Sequence, residues 1–394
     1  MHEKKGKGMK KILIFGMNEN PGGVESFLMN YVRRFDRSKL GIDFLCNSMN
    51  PIAYEDELLG LGLNVFHITA RSKNPIKYYR ELATFFKEHA KDYDAIWVNI
   101  NSLANIDYLK LAKKYGIPVR IVHSHNSQNM DNYLRGQLHA FNKKRIANWA
   151  TDFWACADKA ATWFYQDQPL QQAKIIPNAI DIEASRFSEQ ARQKIRQQYG
   201  LEDAYVIGNV GRLHFQKNQD FMIKVFAELV KSKPQARLVL IGQGDDEAML
   251  KALAQDLGVA DKVIFAGVQK NVSEWLSAFD LFFFPSKFEG LPLAPFEAQA
   301  NGLPVLASKE GVPKEIAVTP NVHFASLQKS SKDWADLIDS ALFILLTAQN
   351  FPHIEQLSSI SGFLSSRMRF AVSVFAWNFY AIYKLQIPVL TIFL

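Results

Sequence analysis

Short apolar runs alternate with amphipathic stretches along almost the whole chain, and this alternation constrains the fold more than any other feature. An apolar run of strand length bounded by turn residues is a strand covered on both faces, and the amphipathic stretches between such runs supply the covering helices. The pattern therefore specifies α/β architecture built on parallel sheets. It predicts strands at Lys11–Phe15, Ile42–Leu45, Val65–Ile68, Ala95–Ile100, Val119–Val122, Phe153–Cys156 and Lys174–Ile176, with helices at Val24–Arg34, Ile76–Lys91 and Ser102–Tyr115. A second series follows the polar, helical stretch Ser188–Tyr199, with strands at Val206–Val210, Arg237–Ile241, Val263–Ala266, Leu281–Phe284 and Val305–Ala307. Each series opens on a strand that runs into a Gly-containing turn, Ile14-Phe15-Gly16 and Gly208-Asn209-Val210-Gly211, as expected where a strand end faces a ligand crevice.

At 394 residues the chain has room for two or three domains. The two series divide it into domains over 1–182 and 183–350, with the boundary near Pro177–Phe187. Residues 351–394 break the pattern and read as a helical tail. Within it, Phe370–Tyr383 is an uncharged, aromatic-rich run of 14 residues. A membrane span needs roughly 20 apolar residues, and Asn378, Lys384, Gln386 and Pro388 interrupt this one, so a helix packed on the body is favoured over a membrane-surface segment.

Cys46 and Cys156 are the only cysteines, which excludes a disulfide framework or a multi-thiolate metal site and points to a reducing, cytoplasmic setting. Met1–Lys11 carries five lysines but leads into an apolar run too short for a signal-peptide core. The 46 basic and 39 acidic residues leave a net charge of +7, which suits a polyanionic partner without choosing one. Lys143-Lys144-Arg145 beside Trp149 brings no nucleic-acid motif with it, so nucleic acid is not an expected partner. Together with Arg33-Arg34 and Lys113-Lys114, this group could dock the first half on an anionic membrane surface, although a solvated helix face is favoured because such groups are common on helices.

The most informative stretch is Pro285-Ser-Lys-Phe-Glu-Gly-Leu-Pro-Leu-Ala-Pro-Phe-Glu297, at the carboxyl end of the very apolar run Leu281–Phe284. Gly290, Pro292 and Pro295 prevent a continuous helix between the two glutamates, so Glu289 sits on a loop. Pro295 suits the first turn of a helix, which puts Glu297 near that helix's amino end. Carboxylates accept hydrogen bonds from paired hydroxyls, while free N–H groups at a helix start suit phosphate; together they match a nucleotide sugar.

Arg212 and Lys217 follow a strand and a Gly turn, so both cations can reach one phosphate cluster. Two fixed cations and a helix start can do the electrostatic work, so no metal is called for. Gly22 and Gly23 precede a helix and permit close backbone approach to an anion, although most such pairs are only turns. His123 and His125 stand two apart at a strand end and should point the same way. A simple turn explains Pro177-Asn178 and Gly242-Gln243-Gly244 as well as a ligand does.

Phe288-Glu-Gly-Leu-Pro-Leu followed by Glu297-Ala-Gln-Ala-Asn-Gly-Leu-Pro-Val resembles the signature of the family-4 retaining glycosyltransferases, whose GT-B fold sets two Rossmann-like domains across a deep cleft. Gly22-Gly-Val-Glu25, Pro177-Asn-Ala-Ile-Asp181 and Gly211-Arg-Leu-His-Phe-Gln-Lys-Asn218 extend the resemblance in the family's order over residues 9 to about 340. His123-Ser-His-Asn-Ser127 is similar to a stretch of bacterial capsular and exopolysaccharide transferases.

The resemblance implies an N-terminal acceptor-side domain and a C-terminal nucleotide-sugar-binding domain. Glu297 would hold the nucleotide ribose and Glu289 the donor-sugar hydroxyls, with Gly290 and Leu291 beside them. Arg212 and Lys217 would hold the leaving diphosphate, Gly22 and Gly23 would lie beside the donor phosphates, and His125 (His123 as second choice) would lie near the reacting sugar. It further implies a UDP-sugar as co-substrate with no other cofactor, a glycan or polyprenol-linked acceptor, and a site of work in the cytoplasm or at the inner face of the plasma membrane. The rival readings are a nucleotide-sugar epimerase on the same body and a catalytically silent nucleotide-sugar-binding partner. Gly362-Phe-Leu-Ser365 lacks the acid that the family shows where its last helices cross back to the first domain.

Overall fold

The computed structural model describes residues 9–128 and 133–340; the tail singled out above lies outside the described residues. Its contacts divide the chain into two units that part between Ala179 and Ile180.

The first unit carries strands β1 (Lys10–Phe15), β2 (Leu40–Cys46), β3 (Asn64–His67), β4 (Ala95–Ile100), β5 (Val119–Ser124), β6 (Asp152–Ala155) and β7 (Lys174–Ile175). Among the described residues they form one parallel sheet in the order β3-β2-β1-β4-β5-β6-β7. The second unit carries β8 (Tyr205–Val210), β9 (Ala236–Ile241), β10 (Val263–Gly267), β11 (Leu281–Phe284), β12 (Val305–Ser308) and β13 (Val322–Ala325), parallel in the order β10-β9-β8-β11-β12-β13. Both are doubly wound sheets, and in each the strand order reverses once, between β1 and β4 and between β8 and β11. Ligands of such sheets bind at that reversal, beyond the carboxyl ends of the strands.

The central strands are buried on both faces, which is why they read as continuous apolar runs: all four residues of β11 and the first five of β4 are buried. Phe27, Phe44, Trp97 and Trp154 fill the first core, and Met222, Phe226, Leu240, Phe283 and Trp334 the second.

Three elements differ from expectation. The helix foreseen over Ser102–Tyr115 runs only over Asp107–Lys114, and ahead of it Asn105 Oδ1 accepts the Asp107 N–H at 3.0 Å in a local turn. β13 and the helix Ser331–Asp339, which opens on a Ser330–Asp333 capping box, extend the second sheet beyond the strands foreseen.

The polar helix Glu189–Tyr199 is held by charge rather than by an apolar stripe. Arg192 and Arg196 both pair with Asp280 at the foot of β11, the former at 2.7 Å, while Asp280 also accepts the Val206 N–H at 2.8 Å. Their other N–H groups donate to carbonyls, including Phe279 O from Arg192 and Ala278 O and Leu201 O from Arg196. Removing the carboxylate strands two largely buried guanidinium groups. Asp280→Ala is therefore expected to cost about 3 kcal/mol of unfolding free energy, measured by urea denaturation, and a loss below about 1 kcal/mol would show that the network is idle.

Candidate active site

At the reversal in the second sheet, the loops that leave β8 and β11 are bonded to one another. Lys217 Nζ lies 2.8 Å from Glu289 Oε1, with little of either side chain exposed. Gln216 Nε2 donates to Phe288 O at 2.9 Å and to Glu289 Oε2 at 3.3 Å, Lys287 N donates to Gln216 O at 2.8 Å, and Asn218 Nδ2 donates to Pro285 O at 3.0 Å. Lys217 spends one of its N–H groups on Glu289 and carries two more. Gly242, at φ +132°, lets the loop after β9 pack flat on the backbone of Gly211, where a Cβ would strike the Gly211 carbonyl.

Arg212 leaves the same loop as Lys217 but is exposed, with Asp245 3.4 Å away. His214 stands between the two cations: partial burial pushes its pKa down first, then the charge on Arg212 and, least, that on Lys217, against Asp246 and Asp245. Both cations therefore act at one end of β8.

Glu289 lies on the loop, and Glu297 in the first turn of the helix Ala294–Ala300, which Pro295 helps to start. Of the N–H groups at this helix start, Pro295 has none, and those of Phe296 and Glu297 both donate to Leu293 O, at 2.9 and 3.1 Å. The Glu297 carboxylate is half-buried and makes no hydrogen bond or ion pair among the described residues; loss of hydration alone pushes its pKa up to about 7. Gly290 and Leu291 follow Glu289 directly and are buried.

At the reversal in the first sheet, Gly16 follows β1 at φ +136°, and a Cβ there would stand 2.7 Å from Asn99 Cβ on β4. Asn99 Nδ2 donates to Phe15 O and Trp97 O, both at 3.3 Å, which turns its Oδ1 to His125 Nε2 at 2.9 Å. That contact fixes His125 as the Nε2–H tautomer, leaving Nδ1 an acceptor. Burial pushes the His125 pKa down to about 3, so the ring is neutral at physiological pH. His123 is sealed from solvent with both ring nitrogens unbonded, packed 4.1 Å from His125 and 5.9 Å from Trp97 between centroids.

The Gly22-Gly23 loop opens the helix Gly23–Val32, and the anion at this helix start is internal. The buried Glu25 carboxylate accepts Asn18 N and Asn18 Nδ2, both at 3.0 Å, and lies where a Cβ on Gly22 would be 2.9 Å from Oε2. At Gly23 a Cβ would meet nothing within 4 Å.

Asn99, Gln216, His214 and Glu25 were missed as site-forming residues. Gln216 and His214 carried a signal inside the Gly211–Asn218 motif and Glu25 inside Gly22–Glu25, whereas Asn99 carried none. The chain's one Asp-X-Asp triple, Asp92-Tyr93-Asp94, sits at the amino end of β4, where Asp94 pairs with Lys10 at 2.7 Å. Among the described residues no group of three His, Cys, Asp or Glu could hold a metal ion, and no helix is long and apolar enough to cross a membrane.

Residues 21–184 match the model described as Glycosyltransferase Family 4, and residues 191–344 that described as Glycosyl transferases group 1. The putative glycosyltransferase EpsF of Bacillus subtilis is 31% identical over 339 residues, 84% of this chain and 88% of its own length. An Escherichia coli UDP-Gal:alpha-D-GlcNAc-diphosphoundecaprenol alpha-1,3-galactosyltransferase is 23% identical over 303 residues, 73% of this chain and 76% of its own. Anabaena Alr3699/HepE, solved in complex with UDP-glucose, superposes with a TM-score of 0.73 at 20% identity, over 94% of this chain and 99% of that one. Two doubly wound parallel sheets of the GT-B kind, two matching family models and a relative alike along most of its length agree: the chain belongs to the family-4, group 1 glycosyltransferases and is a glycosyltransferase.

Proposed function

We propose that the chain moves a sugar from a UDP-sugar to a glycan carried on a polyprenyl diphosphate, with retention at the anomeric carbon, in the cytoplasmic assembly of an exopolysaccharide or capsule. The observation that carries this reading is the Lys217–Glu289 ion pair across the reversal in the second sheet, with the unpartnered Glu297 eight residues further along. The names of relatives support its finer parts: the Escherichia coli relative is named for UDP-Gal and a diphosphoundecaprenol acceptor, and the Anabaena neighbour was solved with UDP-glucose.

In this reading the Glu297 carboxylate accepts the ribose hydroxyls, and Glu289 accepts a donor-sugar hydroxyl while steering Lys217. Lys217 and Arg212 offset the charge that grows on the departing diphosphate. Gly290 and Leu291 border the sugar, and the Gly22-Gly23 turn lies beside the phosphates, with the open space at Gly23. The bond from the anomeric carbon to the diphosphate oxygen breaks, the bond to the acceptor oxygen forms on the same face, and the acceptor proton passes to the departing phosphate oxygen. His125 Nδ1, neutral, accepts a hydroxyl of the reacting sugar and transfers no proton. No cofactor beyond the nucleotide sugar takes part.

Lys217→Ala is expected to lower kcat roughly 10²- to 10³-fold in a steady-state assay with a UDP-sugar, and unchanged turnover would remove the assignment. His125→Ala should lower kcat about tenfold, with no loss of an acid limb near pH 6.5 in the pH–rate profile; a limb that disappears with the ring would make it a proton carrier instead.

Glu297 carries a pH signature. The folded-state pKa of this acid is raised, so the protonated form is the stable one: stability is full below about pH 4.5 and declines as pH rises towards 7. Glu297→Gln should therefore stabilise the ligand-free protein at pH 8 by ~1–3 kcal/mol while weakening UDP binding at that pH. In the parent chain UDP affinity, read by calorimetry, should fall as pH drops from about 8 to about 6, and a flat profile would separate Glu297 from the ribose.

A further inference from the structure

The helix Tyr133–Lys143 is built inside out. Its inward face is polar: the buried His139 accepts the Leu103 N–H at Nδ1 (3.0 Å) and donates from Nε2 to Trp163 O (3.2 Å), while the buried Asn142 donates to Leu103 O at 2.7 Å. Its outward face is apolar: Leu134, Leu138 and Phe141, spaced four and three residues apart and so on one side of the helix, are 72%, 47% and 51% exposed, and Tyr133 beside them is 76% exposed. A helix ordinarily turns such a stripe inward. Here hydrogen bonds anchor it, and the stripe stays exposed among the described residues.

The border of the stripe says what that is. From Tyr133 to Ala150 the sequence holds four Lys or Arg and no Asp or Glu. The Arg145 guanidinium lies 3.9 Å from the Phe141 ring centroid, and Trp149 is flanked by Lys110 and Lys113 at 5.8 and 5.5 Å. Apolar side chains rimmed by cations with aromatic rings among them fit an interface that is hydrocarbon beneath and negative at its surface. Two copies of this face would set like charges against each other, which disfavours a symmetric dimer through it.

We propose that this face docks on an anionic bilayer, with Leu134, Leu138 and Phe141 at the headgroup–acyl boundary and Lys144 and Arg145 on lipid phosphates. It deepens the reading above, which gives the acceptor a lipid carrier, by assigning the surface that meets that membrane.

The test is cosedimentation of the full chain with vesicles of phosphatidylcholine alone or mixed with phosphatidylglycerol, alongside transfer to a short water-soluble acceptor. The parent should bind the mixed vesicles at least about tenfold more tightly than the neutral ones. Leu134→Ser with Phe141→Ser, and separately Lys144→Glu with Arg145→Glu, should each lower binding about tenfold. Both pairs replace exposed side chains, so soluble transfer should be unchanged. Failure of the parent to bind the mixed vesicles, variants that bind like the parent, or a dimer that Leu134→Ser with Phe141→Ser splits into monomers would each overturn the proposal. Vesicle binding that persists while no UDP-sugar is turned over would instead sink the catalytic reading alone.

Discussion

The ion pair between Lys217 and Glu289 is the contact on which the second unit's site depends. Strands β8 and β11 lie side by side, but their connections leave in opposite directions round the sheet, so the loops beyond them would part without something to join them. The pair and the Gln216 and Asn218 hydrogen bonds make that join. A lysine stem in a largely buried slot without its carboxylate would be an uncompensated charge, and the reverse holds for the glutamate. Each therefore holds the other in place before any ligand arrives, and such preorganisation lets a charge act on a reacting group without first being moved.

The first unit solves the same topological problem without charge. Gly16 and Asn99 meet where β1 and β4 adjoin, and Asn99 bridges by amide hydrogen bonds to Phe15 O and to His125. The interior here is aromatic, with Phe27, Trp97 and His123 in contact, and a charged pair would lose its hydration with little to offset the loss. An amide and a neutral imidazole satisfy each other in such surroundings. That difference in local dielectric explains why the ring nitrogen left over on His125 can only be an acceptor.

Strand patterning made most of this architecture legible, because central strands of parallel sheets are apolar on both faces and flanked by turns. β13 escaped because Val322-His-Phe-Ala is short and broken by a histidine, and the early start foreseen at Ser102 ignored the turn that Asn105 makes with the Asp107 N–H. Glu289 and Glu297 were legible because proline and glycine forbid a helix between them. Asn99 was not: nothing local in Ala95–Ile100 tells a buried asparagine that bridges two strands from a polar interruption, since its partners at Phe15 and His125 are 84 and 26 residues away. Of the N–H groups expected ahead of Glu297, that of Phe296 is taken up locally, by the turn that folds it back onto Leu293.

Contrast between satisfied and unsatisfied polar groups sorts the site further. Glu289 and Glu25 are buried carboxylates with their partners in place, the first on a cation and the second on Asn18. Glu297 is half-buried with no partner among the described residues, so loss of hydration makes its ionised form costly to the folded state. An alanine or a glutamine at that position would remove the cost without disturbing a single bond. Under the proposed function this carboxylate receives the hydrogen-bond donor that the described residues do not supply, and neighbouring hydroxyls on one small molecule would meet that requirement.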